Sequence, residues 1–253
     1  METIGKKLEF VTPSGKTITI REQNGEDDDI LSNPTTVANL RNISHFISAI
    51  VVDVDGTGPI TVEEALDLPS NDRWAIILQS RIHSIDHLIE FTHDWGKEYG
   101  GVQTYEEDLR NLLFNYSTTP TPEELEKKPD AIPYYPVNGR KDLPIHTTSG
   151  KELLYDLATG LSDEYIVGLE LKDRTKNKEL ISRNLRLKVG DKFEKVQNFR
   201  LFSVKDMTEI RREVLSNDPV FTGEISIENP TIPNMVAKVN IMGIDGFFFQ
   251  GVI

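Results

Sequence analysis

Thr12-Pro13-Ser14-Gly15-Lys16-Thr17-Ile18-Thr19-Ile20 returns 135 residues later as Thr147-Thr148-Ser149-Gly150-Lys151-Glu152-Leu153-Leu154-Tyr155. In the first copy, Gly15 supplies the positive φ that a bulged hairpin turn needs, and Gly150 holds its place in the second. Leu8-Glu9-Phe10-Val11 precedes the first turn and Thr17-Ile18-Thr19-Ile20 follows it, so residues Leu8 to Arg21 read as a β hairpin. The same offset carries Gly25 onto Gly160, Asp28 onto Asp163 and Asp29 onto Glu164. Glu26-Asp27-Asp28-Asp29 suits a helix N-terminus, where its charge meets the positive end of the dipole. A hairpin, a glycine turn and an acidic helix start thus occur twice in one order, which reads as a duplicated hairpin-plus-helix unit.

Working outward, a helix is expected over roughly Thr35 to Val51, with Val37, Leu40, Ile43, Ile47 and Ile50 on one face. A longer amphipathic helix follows from Ser70, where Ser70, Asn71 and Asp72 offer N-cap oxygens. Trp74, Ile77, Leu78, Ile82, Ile85, Leu88 and Ile89 fall at three- and four-residue steps and make its apolar stripe. Asp72 and Arg73 are expected to fix the start of this helix by capping and an ion pair, and Arg81 to bond a nearby carboxylate or carbonyl. Gly96, Gly100 and Gly101 then turn the chain into a polar β ribbon around Val102, Thr104 and Tyr105.

From Ser117 to Thr148 the sequence turns to proline and charge (Pro120, Pro122, Pro129, Pro133, Pro136, Pro144), an extended connection that carries Tyr134-Tyr135. Beyond it, Ser162 is expected to cap a helix through about Asp173, with another from about Asn177 to Leu185. Leu187–Val189 and Phe193–Val196 read as a hairpin about Gly190-Asp191. Ser203-Val204-Lys205-Asp206 reads as a capping box ahead of a helix bearing Met207, Ile210 and Val214. Val236 to Met242 alternates like a strand and leads to Phe247-Phe248-Phe249, read as core. The architecture expected is α+β: residues 1–116, a connection over 117–146, and a related unit over 147–253.

The 253 residues carry a net charge of −13 and no cysteine. That charge argues against binding nucleic-acid backbones, and it suits docking onto a basic partner. The missing cysteine excludes disulfides and thiolate metal sites. With no long apolar run and no signal-like N-terminus, the expectation is a soluble cytoplasmic chain without a membrane partner. Asp53-Val54-Asp55-Gly56-Thr57-Gly58-Pro59-Ile60-Thr61-Val62-Glu63-Glu64 matches a twelve-residue calcium loop, with oxygens at Asp53, Asp55, Thr57, Thr61 and Glu64. Its flanks do not match: Ile50-Val51-Val52 precede it, Pro69 soon follows, and no second loop pairs with it. A plain Asp-Gly turn is the favoured reading and calcium binding the alternative. His83 and His87 stand four apart with His93 beyond, but no third ligand can be placed. The expectation is therefore no metal, no cofactor and no catalytic residue.

Three features taken together resemble the baseplate proteins of T-even-type contractile-tailed bacteriophages, the hub subunits and hub assembly chaperones. They are Pro13-Ser14-Gly15 with Thr17-Ile18-Thr19-Ile20-Arg21 and the acidic run after Gly25; Asp72-Arg73 followed by Ile77-Leu78 and Arg81-Ile82-His83-Ser84; and the ribbon ending Tyr105-Glu106-Glu107-Asp108-Leu109. The resemblance implies a protein that acts without catalysis, through contacts with other tail or baseplate proteins. Its place would be the host cytoplasm during assembly, or the virion tail, and a homo-oligomer stays open. Where members of that group carry cysteine pairs, this chain has Trp95, Gly96, Lys97, Gly100 and Gly101, so zinc is not implied. The partner-facing candidates are Glu26 to Asp29 and the connection from Pro120 to Pro144.

Overall fold

Strand alternation and turn chemistry build the first unit from its hairpin outward. The computed structural model describes residues 5–38, 41–112, 141–218 and 223–241, and over them the protein is α+β with four small antiparallel sheets. Strands β1 (Lys7–Val11) and β2 (Thr17–Arg21) pair with Leu8 opposite Ile20 and Phe10 opposite Ile18. Strand β3 (Val51–Val54) closes the sheet on the other side of β2. The period of two turns Ile18 and Ile20 inward, where both are fully buried.

Three helices lie between β2 and β3: α1 (Gly25–Ser32), α2 (Pro34–Val37) and α3 (Arg41–Ile50). The single helix expected over Thr35–Val51 is therefore divided. Asn33 caps α2 by accepting from the Thr35 amide at 3.0 Å, with Pro34 as its first residue. Ile47 and Ile50 are buried as expected, but Val37 is exposed and Leu40 lies outside the described residues.

Helices α4 (Val62–Asp67) and α5 (Ser70–Ser84) lead to a ribbon of β4 (Leu88–Asp94) and β5 (Val102–Asp108). Helix α5 stops at Ser84, and Leu88 and Ile89 of its expected stripe belong to β4. Arg81 holds the change of direction: its guanidinium donates to the carbonyl of Asp86 and, at 3.4 Å, to that of Leu88. No side chain caps α5, which follows Pro69. The ribbon is held by packing and a chain of bonds: Trp95 Nε1 donates to Tyr105 Oη at 2.8 Å, which donates to the Glu228 carbonyl at 3.0 Å.

The second unit follows a similar order, with a four-stranded sheet in place of the three-stranded one. It contains β6 (Leu143–His146), β7 (Glu152–Tyr155), α6 (Gly160–Val167) and α7 (Lys176–Ser182). Then come β8 (Arg186–Val189), β9 (Lys192–Lys195) and α8 (Val204–Asn217). A last hairpin pairs β10 (Glu224–Glu228) with β11 (Val236–Asn240). Leu143 faces Tyr155 and Ile145 faces Leu153, the first hairpin's register moved by 135 residues. Strand β6 lies within the stretch read as the connection, of which residues 117–140 lie outside the described residues. Helix α6 is shorter than its expected run to Asp173 and is capped by Thr159, with Ser162 as the reciprocal third residue. The capping box at Ser203 and Asp206 forms as read.

Each unit ends in a hairpin closed by the same bond. The Leu109 amide donates to the His87 carbonyl at 2.8 Å, and the Ile241 amide to that of Gly223 at 2.9 Å. Ile89 and Phe91 correspond to Ile225 and Ile227, and all four are buried. The second hairpin nevertheless packs into the first unit's core, where Ile225, Ile227 and Ile241 join Ile89, Phe91 and Leu109. The second unit's own core is built on Leu153, Tyr155, Leu180 and Ile210. Phe247-Phe248-Phe249 lies outside the described residues. No helix among the described residues is long and apolar enough to cross a membrane.

Candidate docking surface

The repeated turns are stapled alike. Ser14 donates to Asp72 from its amide at 2.9 Å and from its hydroxyl at 2.5 Å. The Ser149 hydroxyl donates to Asp206 at 2.5 Å, and Lys151 Nζ to the other oxygen at 3.0 Å. Asp72 and Asp206 are each the third residue of their helix, α5 and α8. Lys151 Nζ also lies 3.2 Å from Ser149 Oγ, within the reach of a nucleophile and a base. The ammonium is paired with Asp206, however. That carboxyl is held well below its usual range by the Ser149 hydroxyl first, then by the Ser203 amide and Lys151. Asp72 holds the equivalent turn in the first unit, so the arrangement is a structural staple.

Besides the apolar packing of the last hairpin, the units meet through polar groups on α5 and α6. Ser70 donates its amide to the Ala158 carbonyl at 2.7 Å and its hydroxyl to Asp163 at 3.1 Å. Asn71 Nδ2 donates to Asp218 at 3.1 Å, and Asp218 also accepts from Arg183 and, at 2.9 Å, from the Ala158 amide. Arg73, 4% exposed, donates to Ser44 Oγ at 2.9 Å and to the Ala65 carbonyl at 2.5 Å. Burial pushes its pKa down against the attraction of Asp163 and Glu164. Burial pushes the Asp163 carboxyl up, opposed by Arg73 and the Ser70 hydroxyl. The roles expected of Asp72 and Arg73 are thus corrected: Asp72 clamps a turn 58 residues away, and Arg73 bonds a serine and a carbonyl. Arg81 bonds carbonyls, as expected.

Where the two units meet, α6 and Ala38 of the first unit line a shallow depression of about 440 Å³ with Leu161, Glu164, Tyr165, Val167 and Gly168. Leu161 is 51% and Tyr165 38% exposed, and Val37 adds 43% beside Ala38. Arg41 and Glu164 form an ion pair at the depression. Sequence does not single out this surface: Leu161 precedes the expected cap Ser162, and helical spacing alone does not say which face is covered.

The residues singled out from sequence do not converge. Asp53 accepts from the amides of Gly56 and Gly58 at 2.7 Å each, and Asp55 from that of Thr17 at 2.8 Å. The Thr57 hydroxyl donates to the Val54 carbonyl at 2.6 Å. Thr61 and Glu64 form the capping box of α4. Among the described residues, no group of three or more His, Asp or Glu is arranged to hold a metal ion. His83 meets the Lys6 carbonyl at 3.0 Å, His87 pairs with Asp86, and His93 stacks edge-on against Trp95. Within the acidic run, Asp27 is fully buried in a two-pronged pair with Arg21 at 2.7 Å, so it faces inward. No protein-family model, curated protein or solved structure matches this chain.

Proposed function

We propose that this chain is a non-enzymatic component of a contractile phage tail, a baseplate subunit or an assembly chaperone of the baseplate hub. It acts through contacts with other tail or baseplate proteins, in the host cytoplasm during assembly or in the virion tail. The observation that carries the docking part of this reading is the apolar depression beside α6, where Leu161 and Tyr165 remain exposed in a chain of net charge −13. Apolar side chains gathered at a polar-rimmed surface mark contact sites. The assignment to a baseplate rests on the sequence resemblance, whose Ser14 and Asp72 meet in the first staple. Quantitative mass spectrometry of purified particles and of the producing cells tests it. A fixed small-integer ratio to the tail proteins is the result for a built-in subunit. Abundance in cells with absence from particles is the result for a chaperone. Absence from both fractions overturns the proposal.

A further inference from the structure

We propose that copies of this chain associate head to tail, the second unit of one meeting the first unit of the next as the two units meet within a chain. The inner contact uses different faces of the two units. The first unit gives the starts of α5 and α3, and the second gives the turn into α6. Ser70, the first residue of α5, bonds Ala158 and Asp163, and Pro69 before it forms a β-bridge with Thr159, the cap of α6. Arg41, the first residue of α3, pairs with Glu164. Gly160 is buried under the Leu66 carbonyl and the Arg73 guanidinium. Because the faces differ, each unit also carries the other half of the contact, and a heterologous contact of this kind can repeat between copies.

Both unused halves are open. On the second unit, Ser203 caps α8, Val204 begins it at 86% exposure, and Lys176, the first residue of α7, is exposed with Lys205. On the first unit, Asn24 caps α1, and Asn24, Gly25 and Asp29 are exposed where Thr159, Gly160 and Glu164 lie 135 residues on. The charges match across the two halves. Lys176 meets Asp29 as Arg41 meets Glu164, and neither forms an ion pair among the described residues. Lys205 adds a second cation opposite the acidic run. Gly25 is explained as well: a Cβ there has nothing within 4 Å in one copy, whereas the matching Gly160 is closely approached. Copies of charge −13 repel at a distance, but salt screens that field within about 8 Å, and these pairs are in contact. The packing of the last hairpin on the first core is not repeated, since β4 and β5 already lie on their own unit, so the contact between copies is weaker than the inner one.

Sedimentation velocity of the full chain at physiological salt, up to millimolar concentration, tests this. Species larger than a monomer should grow in with concentration. Lys176→Glu should raise the dissociation constant about tenfold, because it sets like charges in contact, and Asp29→Lys should do the same from the other half. Mixed in equal amounts, the two variants should associate as the wild type does, since every charge at position 176 then finds its opposite at position 29. Leu215→Ser, an exposed site near the far end of α8, should change nothing. Circular dichroism and urea midpoints equal to wild type check that the variants fold. A chain that stays monomeric at every concentration overturns the proposal. So does association that neither charge reversal weakens, or a mixture that associates no more tightly than its two components alone.

Discussion

Gly160 and Gly25 occupy the same first position of equivalent helices, 135 residues apart, and should respond oppositely to a single methyl group. An ideal Cβ on Gly160 would stand 2.7 Å from Arg73 Cζ, 2.8 Å from its Nη1 and 3.0 Å from the Leu66 carbonyl oxygen. Carbon atoms pack no closer than about 3.5 Å, so something must move. The carbonyl oxygen is backbone. The guanidinium is buried and tied to Ser44 and Ala65. Losing one hydrogen bond to a buried charge costs about 1.5–3 kcal/mol, and overpacking a filled site costs about 1–3 kcal/mol. These describe one rearrangement seen from two sides and are not added. Against them, alanine restricts the unfolded chain and returns about 0.4–1 kcal/mol. Gly160→Ala should therefore destabilise the protein by about 1–2 kcal/mol. Nothing lies within 4 Å of a Cβ on Gly25, so Gly25→Ala should be neutral or stabilising by up to about 1 kcal/mol.

Urea unfolding reads the difference directly. The Gly160→Ala midpoint should fall at unchanged slope, which marks a change in stability and not in the surface exposed. In a chain of this size the loss corresponds to about 2–4 °C of melting temperature per kcal/mol. Hydrogen exchange should quicken at the Ser70 amide, which bonds across the seam to Ala158. Coincident midpoints for the two alanine variants would refute the reasoning, because the methyl groups enter the same helix position and differ only in what they meet across the seam.

Two further predictions concern pH. Asp206 has its folded pKa depressed, so its contribution is present above the unfolded carboxylate value of about 3.9 and fades as pH falls below it. Asp206→Asn should flatten the acid limb of the stability curve, and an unchanged acid limb would show that the staple contributes nothing. Asp163 has its folded pKa raised by burial, and the sign reverses: its favourable contribution is complete below about 3.9 and is lost as pH rises through the folded value. Wild type should therefore gain on Asp163→Asn as pH is lowered from 6 to 3, read from urea midpoints across that range; a difference constant with pH sinks the assignment.

What the sequence discloses and what it conceals divide along the range of the interactions. The Thr-x-Ser-Gly-Lys turns are legible because glycine geometry and strand alternation are local, and the register of both hairpins follows from them. The end of α5 is not. Ile82, Ile85, Leu88 and Ile89 satisfy a helical stripe, while Leu88, Ile89 and Phe91 serve equally well in a strand. What holds the turn is Arg81 reaching the carbonyls of Asp86 and Leu88, a tertiary bond that no period encodes. Ser70 and Asp72 are misread for the same reason. Both have the chemistry of a cap, but Ser70 bonds Ala158 and Asp163 across the seam, and Asp72 bonds the Ser14 turn.

The exposed face of α6 is the least legible feature, and the duplication explains why. Tyr165 looks like core because helical spacing marks a face without saying whether anything covers it. The helix packed against it has 10 residues in the first unit, α3 on α1, and 7 in the second, α7 on α6. The reduced cover on α6 coincides with another asymmetry, the packing of β10 and β11 into the first unit's core. One unit has thereby gathered the apolar partners of both terminal hairpins, while the other keeps Leu161 and Tyr165 open. Two copies of one architecture can divide labour in this way, since stability supplied by the first core lets the second expose surface that a lone domain of its size would need to bury. Shortening α3 should on this reasoning damage folding, whereas Ser at Leu161 and Tyr165 should damage only binding.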